Sequence, residues 1–270
     1  MDGAVVSDEA IVTYSESDFI GRIRISRPER RNALNHNAVE ELRGAVAQAT
    51  EDRVRVLVVS GDAGHFCAGA DLKELEDLAF TEALRVALDD LAGMRVPTMA
   101  AISGSCMGLG VQIALACDLR ISTDDAKFAV PVAKLGLMVD HWTVARLAHC
   151  AGQSMARWMM LTAEPITAAR AAEVGLVQHV VEDSGSAGGE PDDADSTVTV
   201  DRAAITLATK ISTLAPMALA GTKLGLNQLE WQIPDDGQYR SAFEAAWGSR
   251  DLIEGRQAFA DRRKPEFRGE

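Results

Sequence analysis

Residues 96–117, VPTMAAISGSCMGLGVQIALAC, carry no charge, and no other stretch limits the possible folds as strongly. Its length suffices to cross a bilayer, so it must be buried either in lipid or in the protein's own core. The composition argues for the core. Pro97, Ser103, Gly104, Ser105, Gly108, Gly110 and Gln112 divide it into a strand (PTMAAISG), a turn (SCMG) and a helix (LGVQIALAC), the pattern of a buried βα unit. No membrane span is expected.

The same grammar precedes this unit twice. FIGRIRIS (19–26) alternates apolar and polar residues as a half-buried strand does, and RPERRNALN then supplies a Pro turn before a helical run over 36–49. VRVLVVSG reads as a buried strand, GDAGHFCAGADLKE as a loop, and residues near 81–94 as a helix. DLRIST and KFAV follow as short strands. Irregularly spaced strand, strand, helix units point to an α/β class with a stacked or spiralling core, not a regularly alternating doubly wound sheet.

From Gln153 onward the helical period dominates. The expected organisation is a core over 1–200 and a helical region over 201–270. A mobile acidic loop over 182–199 should separate them, because its Gly, Ser, Asp and Pro content offers little to bury.

The 270 residues are 47% hydrophobic and 25% charged, ordinary values for a globular protein. The net charge of -13 repels phosphate backbones and argues against nucleic acid as a partner. Cys67, Cys106, Cys117 and Cys150 form no CxxC pair and sit mostly among small or apolar neighbours, which suits reduced thiols in a cytoplasmic protein. The acidic N-terminus has no basic segment leading into an apolar one, so no secretory signal is expected. His65 has no HxH, HxxxH or CxxC companion, and no metal site is expected. Ser103 and Ser105 lack the GxSxG setting of a nucleophile.

Two loops of very small residues are candidates for chemistry: Ala68-Gly69-Ala70-Asp71 and Gly104-Ser105-Cys106-Met107-Gly108-Leu109-Gly110. The second opens into an apolar helix, whose first N–H groups and positive dipole end suit an anionic oxygen. Both are equally readable as tight turns in a Gly-rich core. The order GxxxGxG is not the GxGxxG of dinucleotide binding.

At these residues the chain resembles a known family. PERRNALN, HFCAGADLKE, ISGSCMGLGVQIALACDLRIS, KFAVPVAKLGL, ITAARAAEVGLVQHVV and FADRRKPEFRG, in that order, resemble the crotonase (enoyl-CoA hydratase/isomerase) superfamily. The resemblance implies a spiral ββα core, a C-terminal helical trimerisation region, assembly as a homotrimer or hexamer, and CoA thioesters as ligands with no separate cofactor. It places oxyanion-hole amides at Ala70 and Leu109, the latter where the family usually has Gly. It places CoA contacts at Arg30, Ala33, Leu34, Ala68, Asp71, Leu72 and Lys73, with Lys264 and Phe267 reaching a bound CoA. Lys73 and Lys264 read equally well as solvated lysines. An acyl pocket would be lined by Gly108, Gln112, Pro131, Val132, Leu137 and Trp142.

The departures from the family pattern matter as much. Family members that hydrate enoyl-CoA use two glutamates, and the matching positions hold Gln112 and Val132. Neither exchanges a proton near neutral pH. Asp140 stands where hydratases usually have Gly and near where some members place a working Asp. It reads as an acid or base facing an apolar pocket, as the N-cap of a helix beginning at His141, or as a pocket-lining residue with neither duty.

Three functions are consistent with these residues. One is acyl-CoA binding in fatty-acid metabolism without hydratase chemistry. Another is a crotonase-type enzyme, a hydratase, isomerase or thioester hydrolase, that uses Asp140. The last is a structural subunit with a vestigial pocket.

Overall fold

The computed structural model describes residues 10–71, 78–182, 193–230 and 237–270. The chain winds through repeated turns, each laying one long strand in a main sheet and one short segment in a second layer before a helix returns it. After β1 (Val12–Ser17), the first turn runs from β2 (Ile20–Ile25) through a bridge at Leu34 into α1 (His36–Glu51). The next runs from β3 (Val56–Gly61) through bridges at Cys67 and Ala70 into α2 (Leu78–Ala92). The third comprises β4 (Thr98–Ile102), β5 (Ser105–Met107) and α3 (Leu109–Ala116). A further turn contains β6 (Leu119–Thr123), β7 (Lys127–Ala129), α4 (His141–Ala151) and α5 (Gln153–Thr162), and β8 (Ile166–Thr167), α6 (Ala168–Glu173) and β9 (His179–Val181) follow.

The main sheet has the order β1-β2-β3-β4-β6-β9, parallel throughout except for the antiparallel β1–β2 pair. The second layer pairs β5 with β7 and β7 with β8, and the Leu34–Ala70 and Cys67–Cys106 bridges continue it. This is the spiral ββα core expected from the sequence. Residues 105–107, which the sequence marks as a turn, are instead strand β5. Backbone pairing with Lys127–Ala129 overrides the weak local preference of Ser-Cys-Met.

The charge-free stretch is interior. All five residues of β4 are buried, as are all of α3 except Gln112. β3 is likewise buried throughout because helices cover both faces of the sheet. Leu57 and Val59 point into the larger core, while Val56 and Val58 point into a second cluster with Met99, Ala101 and Ile121.

That second cluster is closed by α7 (Asp193–Ser212), through Val200, Ala204 and Ala208. The 182–199 loop and the boundary at 201 are therefore corrected: the chain is helical from Asp193, and Thr197 is 4% exposed. The acidic, small residues of this segment could not announce a helix whose stability comes from the sheet beneath it. Residues 183–192 of the expected loop lie outside the described residues. α8 (Pro216–Glu230), α9 (Gln238–Trp247) and α10 (Arg250–Asp261) complete the helical region. Buried ion pairs attach α8 to the core: Lys223 to Asp118 at 2.8 Å and Arg146 to Glu230. Among the described residues no single helix is long and apolar enough to cross a membrane.

Candidate functional site

The two loops singled out in the sequence lie beyond the carboxyl ends of the parallel strands, and a ladder of backbone hydrogen bonds joins them. The Phe66 and Cys67 amides donate to the carbonyls of Ser103 and Ser105, both at 2.9 Å, and the Met107 amide donates back to the Cys67 carbonyl at 2.9 Å. On one side the Leu34 amide donates to Gly69 at 2.9 Å and the Asp71 amide to Leu34 at 2.8 Å. On the other, the Gly108 amide reaches the Ala129 carbonyl at 2.8 Å. Three successive turns of the spiral thus meet edge to edge.

Among the described residues, the amides of Ala70 and Leu109 make none of these bonds, although those of Asp71 and Gly108 beside them do. Leu109 is the first residue of α3, so its N–H has no partner within the helix. Gly108, which precedes it, has φ 52 and ψ -110, a conformation that a residue with a side chain adopts only under strain. A Cβ on Gly108 would meet no atom within 4 Å, whereas one on Gly110 would lie 2.3 Å from the Cys67 carbonyl oxygen. One side of the turn faces open space and the other is pressed against the first loop.

Two side chains to which the sequence reading gave no role, Asn32 and His65, hold the loops in place. Asn32, fully buried with φ 62, accepts the Arg27 amide at 2.8 Å and donates to the carbonyls of Asp62 and His65 at 2.8 and 2.6 Å. The available signal was an Asn in a turn after Pro, since Asn tolerates left-handed backbone and bonds locally. His65 accepts the Ser105 amide on Nδ1 at 3.2 Å and ties the two loops together. Its place in the structure is among backbone groups. At the far end of α3, the buried Arg120 guanidinium donates to the carbonyls of Ala114 and Cys117 at 3.1 and 2.7 Å, a cation where the helix dipole favours one.

The other expected residues divide. Ala33 and Leu34 are buried in the loop packing, Ala68 is half-buried, and Arg30 is exposed at the adjacent turn. The Asp71 carboxylate is buried in an ion pair with Arg27 at 2.9 Å, so it acts as an anchor of the loop. Leu72 and Lys73 lie outside the described residues. Pro131, Val132, Gln112 and Trp142 are half-buried, and Leu137 is 43% exposed.

Lys264 and Phe267 are not brought to these loops within one chain. The Phe267 carbonyl accepts from Arg55 at 2.7 Å, at the amino end of β3, while Ala68–Asp71 follow its carboxyl end. A strand of this length separates the two by about 20 Å. The C-terminal tail folds back along α10, where the Arg268 and Gly269 amides bond Asp251 at 2.7 and 2.9 Å.

Asp140 is the N-cap of α4, accepting the Thr143 amide at 3.0 Å and the Thr143 hydroxyl. Its other oxygen pairs with Arg85 at 3.2 Å, and the Arg85 guanidinium lies 4.0 Å from the centroid of the Trp142 ring. Partial burial pushes the Asp140 carboxyl up, but the Thr143 hydroxyl and amide and the Arg85 charge outweigh it and hold the group below the ordinary carboxylate range. The three buried thiols are held protonated: burial pushes Cys67 and Cys117 up to about 12 and Cys106 well above its usual value. Among the described residues no cluster of His, Cys, Asp and Glu is arranged to hold a metal.

Residues 15–270 match the family model described as enoyl-CoA hydratase/isomerase. The chain belongs to that family. It is 34% identical over 267 residues to the Mycobacterium tuberculosis (strain CDC 1551 / Oshkosh) protein named "Probable enoyl-CoA hydratase echA6", covering 96% of this chain and 100% of that one. It is also 34% identical over 261 residues to bovine enoyl-CoA hydratase domain-containing protein 2, mitochondrial, covering 93% and 85%. Among solved structures it resembles the enoyl-CoA hydratase from Mycobacterium tuberculosis H37Rv, with a TM-score of 0.81 and 30% identity over 97% of this chain and 100% of that one. The fold is thus the crotonase-type α/β fold of the family.

Proposed function

We propose that this chain binds acyl-CoA thioesters in fatty-acid metabolism, with the thioester oxygen taken by the amides of Ala70 and Leu109, and that it does not hydrate enoyl-CoA efficiently. The observation that carries this reading is the pair of backbone donors that have no partner among the described residues, where a glycine turn opens onto space. Two such amides and the positive end of α3 suit an oxygen that gains negative charge, and each well-placed donor is worth about 100- to 1,000-fold in acyl chemistry. What hydration needs in addition is a proton carrier, which contributes about 100- to 10,000-fold. Gln112 and Val132 supply none.

Leu137, Val132, Pro131 and Trp142 form the apolar surroundings expected for the acyl chain. The reading also includes assembly as a homotrimer or hexamer in the cytoplasm. It is supported by the apolar side chains that α8, α9 and α10 present to solvent, among them Leu229 at 77%, Trp247 at 59% and Ile253 at 69% exposed. A contact of Lys264 or Phe267 with CoA would then come from a neighbouring copy.

The alternative, an enzyme working through Asp140, is weakened because both carboxylate oxygens are already engaged, one by Thr143 and the other by Arg85, and because those partners lower the carboxyl's pKa, which argues against a general acid there. Calorimetry with a long-chain acyl-CoA, paired with an absorbance assay on crotonyl-CoA, tests the proposal. Saturable binding without turnover is expected. Efficient hydration by the wild-type chain, or no binding of any CoA thioester, would overturn it, and the latter would favour a structural subunit.

A further inference from the structure

A cavity of about 890 Å³ lies at the end of the sheet away from the candidate site, where β3 and β4 begin. Its walls come from the last turns of α1, the turns entering β3 and β4, the start of α8 and the C-terminal tail. In volume it falls within the range of small-molecule sites, about 300 to 1,000 Å³. In a chain of net charge -13, it is lined by five arginines, Arg43, Arg53, Arg55, Arg95 and Arg268, against two carboxylates, Glu51 and Asp90.

The arginines are not used up by the fold. Among the described residues Arg43 makes long ion pairs alone, 3.3 Å to Glu40 and 3.4 Å to Asp90. The Arg55 guanidinium is held by two carbonyls, Ser212 at 3.0 Å and Phe267 at 2.7 Å, and by the ring of Phe19, with no ion pair to a carboxylate among the described residues. Arg53, Arg95 and Arg268 are exposed, and among the described residues their side chains enter no hydrogen bond or ion pair. Behind them the wall is apolar at Val46, Val96, Met217 and Leu219.

We infer that this cavity binds an organic phosphate, with several anionic oxygens at the arginine rim and a flat apolar group against the wall. One carboxylate would occupy one guanidinium fork, whereas several forks around one mouth match a ligand with several phosphoryl oxygens. The concave shape and the apolar back distinguish the site from a solvated basic patch, and the acidity of the rest of the surface directs an anion to this mouth. Within one chain the site is at the opposite end of β3 from the Ala70 and Leu109 loops.

Calorimetry on the full chain with ADP and with inorganic pyrophosphate tests it, using the Arg53→Gln/Arg95→Gln double variant and the Arg268→Gln variant, all at exposed positions. ADP should bind more tightly than pyrophosphate and lose about tenfold or more in the double variant and several-fold in the single one, while long-chain acyl-CoA binding stays within about twofold. ADP affinity that is unchanged in the double variant would overturn the inference. So would parallel loss of acyl-CoA binding, which would make the arginines part of the thioester site. A shift of the variant to a smaller assembly in light scattering, without any ADP heat in the wild type, would show that a second copy fills the cavity and would also overturn it.

Discussion

Arg85 and Asp140 meet between α2 and α4, guanidinium to carboxylate at 3.2 Å, with the indole of Trp142 beneath the same guanidinium. The contact assigns Asp140 to holding the helix pair together. It also explains why the carboxyl stays ionised although it is partly buried.

Asp140→Asn should keep the N-cap but lose the charge pairing with Arg85, a small destabilisation of under about 1 kcal/mol at neutral pH, because Asn caps as well as Asp and the Arg85 pair is partly solvent-screened. Asp140→Ala should cost about 1 kcal/mol. The Asp140 carboxyl is lowered in the folded chain, so its stabilisation is fully present above the unfolded value of about 4 and is lost as the pH falls through the folded value. The melting-temperature gap between wild type and Asp140→Asn, scanned from pH 7 to acid, should therefore narrow only below about pH 4.

Gly108→Ala and Gly110→Ala should fail in different ways. At Gly108 there is room but the wrong backbone conformation, so the expected cost is about 1 to 3 kcal/mol, together with weakened acyl-CoA binding as the Leu109 amide turns away. At Gly110 the added methyl strikes the Cys67 carbonyl, and the two loops must separate. Denaturant melts with parallel calorimetry distinguish them: Gly108→Ala should stay folded and lose binding, while Gly110→Ala should lose more stability.

Lys223→Met should destabilise the chain by about 3 kcal/mol, because it removes the partner of Asp118 from a nearly dry site. Lys223 also donates to the Val96 carbonyl at 3.0 Å, which would lose its bond. Equilibrium urea unfolding reads the change directly.

Ala204→Leu tests whether α7 is part of the core. Ala204 is fully buried against the sheet, and adding bulk there should cost about 1 to 3 kcal/mol by overpacking. A change within about 0.5 kcal/mol in urea melts would mean that the helix is a loose appendage.

Leu229→Arg combined with Trp247→Glu should reduce a trimer to monomers in light scattering, with the far-UV spectrum retained, since both side chains are exposed in the single chain. An unchanged mass would place the assembly surface elsewhere.

Much of the site was legible because it is made of backbone. Gly69, Gly104, Gly108 and Gly110 announce turns and close approach in any context, and an apolar run opening after Gly108 announces a helix whose first amide is unpaired. The local hydrogen bond of Asp140 was legible for the same reason: an N-cap bonds three residues along its own helix. Asn32 was harder to recognise, since its partners Asp62 and His65 come from a different turn of the spiral.

The sequence by itself determined the strand and helix periods, the glycine turns, and the burial of residues 96–117, because these follow from side-chain chemistry and near-neighbour sterics. Only the tertiary structure decided that residues from 193 onward cover the sheet, that Asp71 is neutralised by Arg27, and that Phe267 lies at the opposite end of β3 from the loops. Each of these depends on which distant segments share a surface. Desolvation and charge pairing act through space, and the order of residues along the chain does not state that distance.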